Sequence, residues 1–163
     1  MTWRTRNLKT LSAVSFAQDA ASELLYPILP IFITVTLGAP VVVVGMIEGL
    51  AEGAAAITKL ISGKISDGRA RKPIIFLGYL LAAIGKLLVA LAFVWPIALL
   101  GRVVDRLGKG IRGAPRDALL VMDIPVEDRG KAIGFHRAAD TAGAVVGPLI
   151  GLLIIHFADG SLR

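Results

Sequence analysis

Two long apolar runs, 41–61 and 74–94, flank the short basic stretch Gly63-Lys64-Ile65-Ser66-Asp67-Gly68-Arg69-Ala70-Arg71-Lys72-Pro73. Either run can cross a bilayer, whose hydrocarbon core of about 30 Å takes roughly 20 helical residues at about 1.5 Å each. A cationic connector between two spans is easiest to explain at a cytoplasmic membrane surface. The rest of the chain agrees with a membrane setting: of 163 residues, 55% are hydrophobic, too apolar for an ordinary soluble domain, and 18 are Gly, too many for a simple core. There is no cysteine, which excludes a disulfide framework and thiolate metal sites. The net charge of +6 sits in connectors and along otherwise apolar helices, not on a polar face, so nucleic acid is not the implied partner.

Five spans are expected, at 11–37, 41–63, 73–94, 97–122 and 132–157, together forming one transmembrane domain over 1–163. The basic N-terminus resembles a signal peptide, but Gln18, Asp19 and Glu23 interrupt the run behind it and no small-residue cleavage site follows, so a retained first span is expected. The connectors Gly38-Ala39-Pro40 and Trp95-Pro96 are short and uncharged. Cations gather instead before the first span (Arg4, Arg6, Lys9), after the second (Lys64, Arg69, Arg71, Lys72) and after the fourth (Arg129, Lys131). This alternation places the N-terminus and those connectors in the cytoplasm and the tail 158–163 outside.

The fourth span carries the chemistry. At 100° per residue, Arg102, Asp105, Arg106, Lys109, Arg112 and Arg116 share one face, with Asp117 at its edge, opposite Val103, Val104, Leu107 and Ile111. A helix lying on the membrane surface would show the same split. If the segment spans, each central charge costs about 2.5–3.5 kcal/mol unless partners or water compensate, so the face must line a polar cavity. Acids that could answer it are Asp19 and Glu23 on the first span, with Tyr26 on their face, and Glu48 and Glu52 on the second, aligned with Lys59 and beside Gly45, Gly49 and Gly53. Measured along their helices, Asp19, Glu52, Arg106 and Lys109 lie at similar depths, roughly 12–18 Å in. Two readings remain open: a static network neutralising Arg102, Arg106, Lys109 and the lone Lys86, or a set in which at least one acid titrates during transport. In the fifth span Ala139, Gly143, Gly147 and Gly151 recur every four residues and admit a close neighbour, Pro148 bends the helix, and Asp140 lies within it. His136 reads as an anchor or hydrogen-bond donor near the cytoplasmic end of that span and His156 as a residue of the far interface, too distant to share a metal.

These segments resemble the major facilitator superfamily. Gly63, Asp67, Arg71 and Lys72 fall in register with its loop signature G-x-L-A-D-R-x-G-R-K, with Gly68 and Ala70 departing. Arg106 and Gly110 match the helix-4 pattern R-x-x-Q-G-x-G-A-A, with Lys109 and Arg112 adding charge. Gly143, Gly147, Pro148 and Gly151 match the antiporter pattern G-x-x-x-G-P-x-x-G-G except at its last glycine. Pro125, Glu127, Arg129 and Gly130 resemble the P-x-E-x-R-G turn. The strings from Asp105 to Leu119 and from Gly134 to Gly143 are similar to a bacterial branch that is mostly uncharacterised.

The resemblance implies an all-α polytopic bundle, the N-terminal half of the major facilitator fold lacking helix 6, in a bacterial inner membrane. It implies secondary active transport of a small solute, as proton-coupled export by alternating access; the alternatives are an uptake symporter or an inactive half-transporter. Transport or coupling candidates are Asp19, Glu23, Glu48, Glu52, Arg102, Asp105, Arg106, Lys109, Arg112 and Asp140. Expected partners are the bilayer, a small-molecule substrate with protons, and the remaining C-terminal helices or a second copy. No enzyme activity, cofactor or metal is expected, since the chain holds no nucleotide-binding loop and no nucleophile–base constellation.

Overall fold

A computed structural model of the chain describes residues 3–67 and 70–157. Gly68, Arg69 and the tail 158–163, which the sequence places in a cytoplasmic connector and outside the membrane respectively, lie outside the described residues. Every regular element among the described residues is helical: α1 (Arg6–Glu23), α2 (Leu25–Ile31), α3 (Val41–Ser66), α4 (Arg71–Ala90), α5 (Trp95–Leu120) and α6 (Arg129–Phe157). In hydrocarbon a backbone must satisfy its own hydrogen bonds, and helices do so within one segment. Among the described residues, four helical stretches are long and apolar enough to cross a membrane: Arg6–Thr36, Val41–Ser66, Arg71–Ala90 and Val126–Phe157. Helix α5 has the length, 26 residues, but its charges keep it out of that set. Large apolar side chains such as Val41, Leu60, Phe76, Leu87 and Phe157 are turned outward, as in a protein solvated by lipid. The chain is an all-α, multi-pass membrane protein.

The helices form two compact units. The first joins α1 and α2 to α6 and takes in the last two residues of α5. Thr5 starts α1, its hydroxyl accepting a hydrogen bond from the Leu8 amide at 3.2 Å. The sequence suggests one span over 11–37; in the structure it starts earlier and is divided within. Helix α1 begins at Arg6 and is broken near Leu24, because Pro27 has no N–H for the Glu23 carbonyl and Pro30 none for Tyr26. A π-helical turn, Phe32–Thr36, carries the chain on. Leu8, Leu120, Ile124 and Ala132 make a buried apolar cluster at one end of this unit. Higher up, α1 and α6 run with their backbones in contact: a Cβ on Gly143 would overlap the Phe16 carbonyl oxygen, and one on Gly147 the Ala20 carbonyl oxygen.

The second unit holds α3, α4 and α5 up to Ala118. Here too glycine sets the distance between helices. A Cβ on Gly85 would stand 2.6 Å from the Gly101 carbonyl oxygen, and one on Gly108 would be 2.7 Å from the Ala82 nitrogen. Three connectors are shorter or shifted relative to the sequence reading. Trp95 and Pro96 open α5 rather than precede it, since a proline is tolerated in the first turn. Arg71 and Lys72 are the first residues of α4, and Arg129, Gly130 and Lys131 begin α6.

Candidate functional site

Helix α5 is inverted relative to a soluble amphipathic helix: its charged face is the buried one. Arg102, Asp105, Arg106, Arg112 and Arg116 are all at most 6% exposed, and Lys109 is partly buried. Regular 3.6-residue winding puts them on one stripe, and the glycine contacts with α4 bring neighbouring helices close enough to meet it. Arg102 donates from Nε to Glu48 Oε1 at 2.8 Å and from Nη2 to Oε2 at 3.0 Å, the two-pronged geometry that a guanidinium makes with a carboxylate. Its Nη1 lies 3.6 Å from Asp105 Oδ2, and Lys86 Nζ donates to Asp105 Oδ1 at 2.6 Å. Glu48, Arg102, Asp105 and Lys86 thus form one chain of ions across α3, α5 and α4, with equal numbers of each sign.

One turn along, Arg106 Nε lies 3.0 Å from Glu52 Oε1. The two acid–arginine pairs differ in burial. The Glu48 side chain is 26% exposed and the Glu52 side chain 60%, while both arginines are covered. Further along, the Arg112 guanidinium stacks 4.7 Å over the Tyr79 ring, a cation–π contact between α5 and α4. Ser62 donates to the Gly110 carbonyl at 3.1 Å and ties α3 to the same stretch. Lys59, aligned with the acids in the sequence, lays its stem beside Gly113. An open cleft of about 370 Å³ in this unit is lined by Leu50, Pro96, Leu99, Leu100 and Val103 and carries no titratable group.

Asp19, Glu23 and Asp140 belong to the first unit, apart from the α5 face in the division of the chain. Asp19 is 8% exposed, and Asp140 lies 3.6 Å from His136 and 3.9 Å from Arg137. Of the two roles the sequence leaves to His136, anchor or hydrogen-bonding residue, the structure shows the second: the ring is 1% exposed, and its Nδ1 is 3.1 Å from Ser12 Oγ on α1. Helix α6 begins at Arg129, so His136 stands two turns inside it. Of the loop motif, Gly63 packs near Ala114, and Asp67 ends α3 in an extended, exposed conformation with no ion pair among the described residues. Gly143, Gly147 and Gly151 of the hinge motif all face α1 and α2, and Pro148 lies within α6 without ending it. Among the described residues no cluster of His, Cys, Asp and Glu could hold a metal.

Residues 11–160 match the family model for the Major Facilitator Superfamily. The chain belongs to this superfamily. Among its relatives is an uncharacterised MFS-type transporter of Methanocaldococcus jannaschii, 40% identical over 98% of this chain and 40% of its own length. The Staphyloferrin B transporter of Staphylococcus aureus is 33% identical over 91% of this chain and 36% of its own. The multidrug resistance protein MdtH of Photorhabdus laumondii is 32% identical over 81% of this chain and 33% of its own. The chain therefore spans well under half the length of the superfamily members it matches. Those members are transporters, not enzymes, in agreement with the sequence reading.

Proposed function

We propose that this chain supplies the first five spans of a secondary transporter that exports a small organic solute in exchange for protons. In this reading the five helices belong to one transmembrane domain, α5 included. The N-terminus and the connector around Asp67 face the cytoplasm of a bacterial cell, and further helices complete the transport path. The carrying observation is the buried ion face of α5. A spanning helix with this many charges is tolerable only if they are paired or face water, and such a face between helices is where a polar path through a membrane runs. The Arg106–Glu52 pair is assigned to the transport path, because its carboxylate is the exposed one. The Lys86–Asp105–Arg102–Glu48 chain is assigned to holding three helices together. The name of one relative, a multidrug resistance protein, supports export over uptake.

The test is made on the full-length protein in proteoliposomes with an imposed pH gradient, using ethidium and staphyloferrin B as probes. Accumulation of at least one, abolished when the gradient is collapsed with nigericin, is expected. Accumulation unaffected by nigericin would refute proton coupling, and no movement of either would leave the export reading without support.

A further inference from the structure

A polar seam between α1 and α6 lies outside the α5 ion face. Helix α1 buries Ser12, Ser15, Asp19 and Ser22 along one stripe; the serines are the small residues usual where spanning helices meet, and Asp19 is the ionisable exception among them. Helix α6 answers it with His136 and Asp140, both buried. His136 sits between two groups: Ser12 Oγ is 3.1 Å from Nδ1, and Asp140 Oδ2 is 3.6 Å from Nε2. Arg137 Nη1 approaches the same Asp140 oxygen at 3.9 Å. The other charged groups on the two helices are Asp19, buried on the α1 stripe; Glu23, half-buried one turn beyond it; and Arg6, Lys9, Arg129 and Lys131, exposed near the helix starts. The end of α5 and the turn before α6 add Asp123, which accepts from Asn7, and Asp128, which pairs with Lys131.

The arrangement suits a proton that comes and goes. Imidazole is the side chain whose ordinary titration falls between about pH 5 and 8. A serine hydroxyl can donate to a bare ring nitrogen or accept from a protonated one, so the ring can change charge by rotation of one hydroxyl. The carboxylate beside Nε2 offsets the charge gained. The close α1–α6 backbones at Gly143 and Gly147 hold the two helices in register, so that Ser12 and Asp140 keep their places on either side of the ring.

We propose that Ser12, His136 and Asp140 form a proton-binding site in which His136 takes up and gives back the coupling proton. The proposal rests on the proton-coupled reading above and deepens it by naming the carrier. In the unloaded state Ser12 donates to Nδ1 and the Nε2–H faces Asp140. Uptake of one proton from water at Nδ1 makes the ring cationic, and the Ser12 hydroxyl turns to accept. Release returns that proton to water and the hydroxyl to its donating orientation. Ser12 and Asp140 act as positioning residues.

The test uses the full-length protein in lipid nanodiscs with ¹⁵N-ring-labelled histidine, the His136 signals being those that vanish in His136→Gln. In the wild type these signals pass from the neutral to the charged pattern between about pH 5 and 8, and Asp140→Asn or Ser12→Ala changes the proton affinity by about threefold or more. The initial rate of probe transport (ethidium or staphyloferrin B) changes over the same pH interval in the wild type, and this change shrinks to less than about twofold in His136→Gln. A wild-type ring that keeps one protonation state across the interval overturns the proposal without requiring any variant to fold. So does a His136→Gln transporter with the wild-type pH profile. Wild-type transport that ignores the pH gradient overturns the underlying proton-coupled reading, and ring titration in that same protein identifies the failure as one of coupling rather than of proton binding.

Discussion

Two acids on α3, one turn apart, each pair with a buried arginine of α5, yet their surroundings assign them different work. Asp105 sits between Lys86 and Arg102, so Asp105→Asn leaves two covered cations against one remaining acid. Breaking a buried ion pair from one side costs about 3–5 kcal/mol, so this variant of the full-length protein should unfold in detergent at a clearly lower temperature. Replacing Lys86 with Met and Asp105 with Leu together should recover most of that loss, since the pair leaves as a unit. Glu52 is the contrasting case: its side chain is 60% exposed, so Glu52→Gln should lower the melting temperature less than Asp105→Asn does. The charged stripe itself was legible, because 100° spacing places Arg102, Asp105, Arg106, Lys109 and Arg112 together without knowledge of any neighbour. Which acid meets which cation was not legible, since that depends on helix packing. A hydrogen-bonding role for His136 was legible, but its partner Ser12 and the depth of its burial were not, because both depend on how α6 packs on α1.

Helices of this chain approach one another through glycine, and that makes the elements sensitive where the sequence looks bland. A Cβ on Gly147 would overlap the Ala20 carbonyl oxygen, and backbone cannot yield as a side-chain tip does. Gly147→Val should therefore push α6 away from α1 and cost about 1–3 kcal/mol through overpacking, read as a lower melting temperature of the full-length protein in detergent. The same substitution at exposed Gly130, where nothing lies within 4 Å, should cost far less in that measurement. Four helical stretches with spanning character among the described residues were readable from hydropathy alone, with the start at Val41 in place and other ends shifted by a few residues. Charged residues that read as connector, Arg71, Lys72, Arg129 and Lys131, join the first turns of α4 and α6, because a helix continues wherever its backbone bonds allow. Pro27 and Pro30 act in the opposite sense and divide a run that the sequence reads as a single span.

For the whole molecule, orientation and mechanism are the two propositions to test. With its cationic connectors inside, Ala70 faces the cytoplasm and Pro40 the outside, and both positions are exposed, unlike the neighbouring Ser66 and Ala39. In intact cells an impermeant thiol reagent should label Pro40→Cys and spare Ala70→Cys, in a chain that has no other cysteine among its 163 residues. The reverse pattern would invert the topology. Mechanism turns on whether the exposed carboxylate of α3 takes part in transport. The most direct measurement is proton flux in everted vesicles carrying the full-length protein, with acridine orange reporting the pH gradient as ethidium or staphyloferrin B is added. The wild type should dissipate the gradient on addition of the transported probe, whereas Glu52→Gln, at undiminished expression and stability, should leave the gradient intact. Dissipation by Glu52→Gln at the wild-type rate would contradict the account.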